Sequence, residues 1–128
     1  MSSTSTSGLD SAKVGLHMFH VLGVVPFFFY VSIVRSTLPE FIFNLLIGLG
    51  AILIIYHGYK SVLRWYSGST YIWVNAIHAL IIGPLLLYIG IHKKTTPRAA
   101  YEALMLVAFG AFGYHLKLLA EDLNWVRS

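Results

Sequence analysis

Four long apolar stretches, each bounded by charged or turn-forming residues, constrain the fold of this chain more than any other feature. They cover approximately residues 14–34, 40–60, 71–91 and 98–119. A helix needs about 20 mostly apolar residues to cross a hydrocarbon layer about 30 Å thick. Each stretch is therefore long enough for one crossing.

These stretches are apolar around their whole circumference. Residues 21–33 contain no charged side chain and a single serine, and residues 45–55 contain no polar side chain. The helices of a soluble bundle would instead show a polar face with a period of 3.6 residues. Charged residues make up 11% of the chain, against about 25% in soluble domains. The sequence therefore predicts an all-α integral membrane four-helix bundle with the lipid bilayer as its surroundings.

The remaining composition limits the domain organisation and the partners. Residues 1–13 are polar and rich in Ser and Thr, which predicts a short N-terminal tail, and residues 14–128 are expected to form a single transmembrane domain. The Lys and Arg residues are scattered along the chain, so their pattern indicates no nucleic-acid partner. Cysteine is absent, which excludes disulfides and thiolate metal ligands.

An internal repeat of 58 residues divides the domain into two helical hairpins. Comparing residues 20–61 with residues 78–119 gives ten identical pairs out of 42 without a gap. The matches include chemically distinctive residues: His20/His78, Pro26/Pro84, Tyr30/Tyr88, Thr37/Thr95, Pro39/Pro97, Tyr56/Tyr114 and His57/His115. We therefore predict a duplicated hairpin, with repeat 1 at about residues 14–64 and repeat 2 at about 71–122.

The repeat also predicts how the helices are arranged. Each copy contributes two crossings, so both copies enter from the same side and are related by a pseudo-two-fold axis along the membrane normal. In a compact bundle the first helix is then expected to face the third diagonally, and the second to face the fourth.

Four histidines are predicted to lie at one depth in this bundle. His20 lies about 17 residues before the first hairpin loop and His57 about 19 after it, a difference of only about 3 Å at 1.5 Å per residue. The repeat gives His78 and His115 matching depths. Tyr56 and Tyr114 accompany this layer, His17 and its counterpart Asn75 lie one turn further out, and Gly23 and Gly50 leave room for a neighbouring helix or a flat ligand.

Our first hypothesis for this layer is a bound cofactor. Two imidazoles at equal depth on facing helices could ligate haem b for electron transfer, and neutral imidazole is also the commonest ligand of transition metals in proteins. The diagonal pairs His20/His78 and His57/His115 would supply these ligands. The expected site then comprises the four histidines, Tyr56, Tyr114, Gly23 and Gly50.

Two other classes of function remain open. A proton- or small-solute-conducting pathway lined by His and Tyr could be gated where Pro26 and Pro84 bend their helices; a single copy is narrow, so this hypothesis predicts a homo-oligomer. Alternatively, the histidines and tyrosines form hydrogen bonds between helices in a non-catalytic accessory subunit of a membrane complex. The five carboxylates form no catalytic motif, which disfavours an enzyme.

Overall fold

The computed structural model describes residues 7–123, and the side chains of residues 11–123. These residues form four long helices and no strand. Helix α1 comprises Ser7–Phe19, a π-helical turn at His20–Val24 and Val25–Val34. Helix α2 is Glu40–Tyr66. Helix α3 comprises Ile72–Ile77, a π-helical turn at His78–Ile82 and Gly83–His92, and helix α4 is Arg98–Asp122.

The four helices match the four predicted stretches and confirm the all-α fold, which is consistent with a four-helix bundle. Helical segments of 24–27 residues, at Ser11–Thr37, Glu40–Tyr66, Ile72–Thr95 and Arg98–Asp122, are each long and apolar enough to cross a membrane. Of the predicted N-terminal tail, residues 1–6 lie outside the described residues. Residues 7–13 belong to the first helix.

Both π-helical turns end shortly before a mid-helix proline. The backbone N–H of Val25 bonds to the carbonyl of His20, and that of Gly83 bonds to the carbonyl of His78. Proline lacks an N–H and its ring clashes with the carbonyl four residues earlier. One wider turn before Pro26 and before Pro84 moves that carbonyl, and such turns are frequent at functional sites.

The two hairpin loops share an uncommon backbone feature. Each helix before a loop ends in a 3₁₀ turn, Arg35–Thr37 in one and Lys93–Thr95 in the other, and each turn begins with a non-glycine residue at positive φ: 58° at Arg35 and 49° at Lys93. These positions are 58 residues apart, as are the two π-helical turns. A duplicated hairpin would produce such pairs, although the duplication itself stays a prediction.

The chain divides into two compact units. The described residues of Met1–Tyr30 and Met105–Ser128 form the first unit, and Val31–Leu104 form the second. The first unit is built from α1 and α4 around a buried core of Val25, Phe28, Ala108, His115 and Leu119. The second unit includes α2 and α3 and buries Phe43, Leu46, Leu86, Ile89 and Leu104 among others.

Helices α2 and α3 approach each other unusually closely because of three glycines. A Cβ atom at Gly50 would lie 2.8 Å from the carbonyl oxygen of Gly83, and one at Gly90 would lie 2.7 Å from that of Phe43. Small residues of this kind allow the backbones of apolar helices to pack in direct contact. This contact fixes the helix pair that carries His57 and His78.

Candidate functional site

The first unit contains a cluster of four polar side chains, which we call the Asp122 cluster. It consists of His17 and His20 from α1 and of His115 and Asp122 from α4. Residues three or seven positions apart share one face of a helix. The two helices therefore each present a pair of polar groups on one face.

Three members of the Asp122 cluster form a continuous chain of polar contacts. The Nδ1 atoms of His17 and His115 are 3.0 Å apart, within hydrogen-bond distance. On the other side of its ring, the Nε2 atom of His17 lies 3.5 Å from Oδ2 of Asp122. His115 is 7% exposed, whereas the Asp122 side chain is 29% exposed. The chain thus leads from a half-exposed carboxylate to a buried imidazole.

The protonation states in this chain follow from which atoms can donate. An ionised carboxylate only accepts hydrogen bonds. We therefore assign the proton of a neutral His17 to Nε2, which leaves Nδ1 as an acceptor. His115 must then donate from Nδ1. If His17 becomes an imidazolium, both its nitrogens donate, and His115 accepts on Nδ1 instead. The proton between the rings can therefore lie on either side.

The fourth member, His20, is placed differently. Its Nδ1 atom donates to the carbonyl of Leu16 on the same helix at 2.8 Å. Its ring stacks on that of His115 with centroids 4.1 Å apart and planes 17° from parallel. His20 therefore contacts this chain of polar groups only through the face of its ring.

The second unit contains a matching cluster, which we call the Arg64 cluster. It consists of His57 and Arg64 from α2 and of Asn75 and His78 from α3. The rings of His57 and His78 stack with centroids 4.4 Å apart and planes 24° from parallel. The Nδ1 atom of His78 donates to the carbonyl of Val74 at 2.6 Å, as His20 does to that of Leu16.

Asn75 fixes the hydrogen bonds of the Arg64 cluster. Its amide is assigned with the NH₂ group donating to Nδ1 of His57 at 2.9 Å and the oxygen accepting from Nε and Nη1 of Arg64, each at 3.1 Å. The reverse assignment would direct the amide NH₂ at the guanidinium, which only donates. Nη1 of Arg64 also donates to the carbonyl of Tyr71 at 3.0 Å. The hydrogen bonds through Asn75 therefore run from the guanidinium of Arg64 towards His57.

The two clusters correspond position by position at the spacing of 58 residues. His17 matches Asn75, His20 matches His78, His115 matches His57 and Asp122 matches Arg64. Both clusters keep the stacked histidine pair and the bond to a carbonyl four residues earlier. They differ at the two positions that decide proton chemistry: a carboxylate and a third imidazole in one, a guanidinium and an amide in the other.

The structure brings the predicted site residues together as two neighbouring pairs, His20 with His115 and His57 with His78. The ring of Tyr114 lies edge-on to that of His115 with centroids 5.2 Å apart, and the ring of Tyr56 lies edge-on to that of His57 at 5.0 Å. Gly50 serves the close contact of α2 with α3 described above. The diagonal pairs that would ligate haem b stay predictions.

A side chain at position 23 would meet few neighbouring atoms. A Cβ atom built there would meet only the ring of Phe19, at 3.7 Å. This glycine lies in the π-helical turn that begins at His20. Gly23 is exposed, and its predicted role in leaving room for a flat ligand stays a prediction.

The sequence reasoning missed Asp122 and Arg64. Both lie seven residues after a histidine of the predicted layer, on the same helical face, and they are 58 residues apart. Extending the repeat by one further turn would have found them. Position 17 and position 75 were recognised as counterparts, but their contacts were not predicted.

The described residues do not form a set of ligands for the predicted metal ion. Within residues 7–123 there is no group of three or more His, Cys, Asp or Glu side chains placed to hold a metal ion. Binding of haem b or of a transition metal stays a prediction from the sequence.

Compared with known proteins, the chain matches no protein-family model, no curated protein and no solved structure. Its function must therefore be inferred from the two clusters themselves.

Proposed function

We propose that this chain is a multi-pass integral membrane protein that moves protons across its membrane, with the Asp122 cluster as its proton-loading site. The observation that carries this proposal is the chain of contacts from Asp122 through His17 to His115. Histidine is the side chain that changes charge near neutral pH, and histidines inside membrane spans commonly act in proton relays.

The apolar surface supports the membrane part of the proposal. Large aliphatic side chains in the middle of the helices are exposed: Leu22, Ile55, Leu80 and Leu106 are each 67–75% exposed. Contiguous apolar surface of this kind is unfavourable in water. Helices satisfy all their own backbone hydrogen bonds, so lipid is a suitable surrounding for them.

The relay can be written as a balanced series of proton transfers. A proton binds to Nε2 of His115, which releases its Nδ1 proton to Nδ1 of His17. The imidazolium of His17 is stabilised by the carboxylate of Asp122 and then releases its Nε2 proton to that carboxylate or to water. One N–H bond has formed and one has broken on each ring. The same steps in reverse carry a proton from Asp122 to His115.

The core next to the cluster indicates how far this relay extends. Val25, Phe28 and Ala108 are buried in the same unit and apolar, with exposures of 2%, 4% and 0%. Hydrogen-bond exchange needs polar groups, and these three side chains supply none. We therefore propose a transporter that changes conformation to complete the transfer, and the π-helical turn before Pro26 supplies a bend for that change.

Proton uptake by sealed vesicles tests the proposal. Purified protein is reconstituted into liposomes, a potassium diffusion potential is set with valinomycin, and internal pH is followed with a fluorescent dye. We expect the wild type to take up protons faster than empty vesicles. His17→Asn places at position 17 the residue found at position 75, and we expect it to slow uptake by about a hundredfold, the scale of losing one positioned proton-transfer group.

His92→Gln is the matched control. His92 lies outside both clusters at the end of α3, with Nδ1 bonded to the carbonyl of Tyr88 on its own helix. Its replacement is expected to leave uptake unchanged. Folded, reconstituted wild-type protein that takes up no protons would contradict the proposal. A haem absorption band that is lost in His20→Ala would instead support the cofactor hypothesis.

A further inference from the structure

The stacked imidazoles of the Asp122 cluster assign a separate role to His20. A ring stacked face to face cannot hydrogen-bond to its partner, because the N–H groups and lone pairs of both rings lie in the ring planes. With planes 17° from parallel and centroids 4.1 Å apart, His20 passes no proton directly to His115. Its geometry nevertheless places it against the one buried ring of the relay.

We infer that His20 is a positioning residue, which holds the ring of His115 in the orientation that the relay needs and carries no proton itself. The inference rests on the proposed function, because it concerns the same relay. It specifies which of the three histidines of the Asp122 cluster transfer protons and which one orients them.

Contacts within α1 hold the ring of His20 in one orientation. Its Nδ1–H is donated to the carbonyl of Leu16, one turn earlier on the same helix, at 2.8 Å. Its own carbonyl accepts the N–H of Val25 across the π-helical turn, and the ring of Phe19 meets it edge-on with centroids 5.5 Å apart. The ring is thus oriented by its own helix, independently of α4.

The hydrogen bond from His20 to the carbonyl of Leu16 also cannot pass a proton on. A backbone carbonyl accepts a hydrogen bond, but it has no proton to pass on and is not protonated near neutral pH. His115, in contrast, bonds through Nδ1 to another titratable ring, that of His17. Stacking on His20 fixes the plane of the His115 ring, and within that plane the bond to His17 selects the edge that carries Nδ1.

Two substitutions separate orientation from proton transfer. His20→Phe keeps a flat ring that can stack but cannot carry a proton. We expect its vesicle proton uptake to stay within about twofold of wild type, with the same pH profile. His20→Ala removes the stack, and we expect uptake to fall by about tenfold, because a misplaced transfer group loses much of its effect.

The orientation of His115 is measured independently of transport. Solid-state ¹⁵N NMR of histidine-labelled protein in lipid reports which ring nitrogen of His115 carries the proton. We expect the Nδ1–H form to predominate in the wild type and in His20→Phe, and a mixture of both forms in His20→Ala. His78→Ala, the same change in the Arg64 cluster, is the matched control and should leave His115 unchanged.

The outcomes distinguish the two proposals. If His20→Phe loses uptake as completely as His20→Ala, His20 is a member of the relay and the inference is wrong, while the proposed function stands. If the wild type takes up no protons but the NMR result is as expected, the positioning role holds and the proposed function fails. If the tautomer of His115 is the same in all three proteins, the positioning role is wrong.

Discussion

The Asp122 cluster and the Arg64 cluster have the same scaffold and opposite chemistry. In both, a histidine bonded to a carbonyl four residues earlier stacks on a histidine of a neighbouring helix. In the first, the chain of polar groups ends in a carboxylate, which attracts protons. In the second, it ends in a guanidinium that is always charged and an amide that neither takes up nor releases a proton near neutral pH.

This difference teaches that stacked histidines alone do not define a proton site. What surrounds the pair decides it: Asp122 can balance the charge of an imidazolium, whereas Arg64 would repel it. His17 can exchange a proton with His115, whereas Asn75 only donates to His57. Under the proposed function, the differences at these two positions separate a relay from a fixed hydrogen-bond network.

The packing around the two clusters differs as well. Gly50 and Gly83 allow α2 and α3 to touch through their backbones. The counterparts of these glycines 58 residues away, Ala108 and Val25, carry side chains that are buried in the first unit. The Arg64 cluster thus lies on a helix pair in backbone contact, whereas the equivalent positions beside the Asp122 cluster carry buried side chains.

The largest predicted effect concerns this packing. Gly90→Ala would place a Cβ atom 2.7 Å from the carbonyl oxygen of Phe43 and 2.8 Å from the backbone nitrogen of Ile47. Backbone atoms cannot move aside cheaply, so we expect the free energy of unfolding to fall by about 2 kcal/mol. Unfolding of the detergent-solubilised protein, followed by circular dichroism, measures this loss.

Gly110→Ala in α4 is the control for that substitution. Apart from its chain neighbours and the nearby backbone of α4, no atom of the described residues lies within 4 Å of a Cβ built at Gly110, and alanine favours helix over glycine. The control should be as stable as the wild type or slightly more stable. Equal stability of the two variants would show that α2 and α3 are not in backbone contact.

A smaller effect, on proton uptake, is expected when the carboxylate of Asp122 is replaced. Asp122→Asn keeps the size of the side chain but removes the charge that stabilises the imidazolium of His17. Because the carboxylate is partly exposed, we expect proton uptake to fall by about fivefold, which corresponds to an ion pair of about 1 kcal/mol, and its pH profile to shift to more acidic values.

Glu121→Gln provides the comparison for Asp122→Asn. Glu121 is the neighbouring acid and pairs with Lys117, its Oε1 atom 3.7 Å from the lysine Nζ. Its loss should leave vesicle proton uptake unchanged. If both substitutions reduce uptake equally, the effect is one of surface charge and not of the relay.

The smallest effect is predicted for Asn75→His, which gives the Arg64 cluster a third imidazole. The guanidinium of Arg64 remains beside it, so a proton added there would meet a positive charge. We expect proton uptake to stay within about twofold of wild type. A clear gain would show that the imidazole at this position, and not the neighbouring charge, decides whether a cluster conducts.

Much of the fold could be predicted because it depends on local sequence. Apolar runs of sufficient length gave all four helices, and Pro39 and Pro97 directly precede Glu40 and Arg98, the first residues of α2 and α4. The π-helical turns at His20 and His78 could not be predicted, although the mid-helix prolines were recognised. A mid-helix proline shows where the regular α-helical hydrogen bonding is interrupted. It does not show whether the helix axis bends there or whether a π-helical turn forms.

The sequence allowed a depth to be predicted for the site residues, but not their contacts. The distance of a residue from a loop fixes its depth along a straight helix, and so four histidines could be placed at similar heights. Which ring meets which depends on the order and rotation of helices, which no short-range pattern encodes. The contacts of Asp122 and Arg64 were missed because both residues lie near helix ends, where a charged residue is usually solvated.

The most direct test of this account compares the counterpart histidines of α2 and α4, His57 and His115, in identical vesicles. His115→Phe and His57→Phe are counterpart substitutions, each of which keeps an aromatic ring and removes two nitrogens. The account predicts that His57→Phe takes up protons as fast as the wild type and that His115→Phe takes up protons no faster than empty vesicles. If the two variants take up protons at the same rate, whether that rate is fast or slow, the assignment of the proton relay to the Asp122 cluster is contradicted.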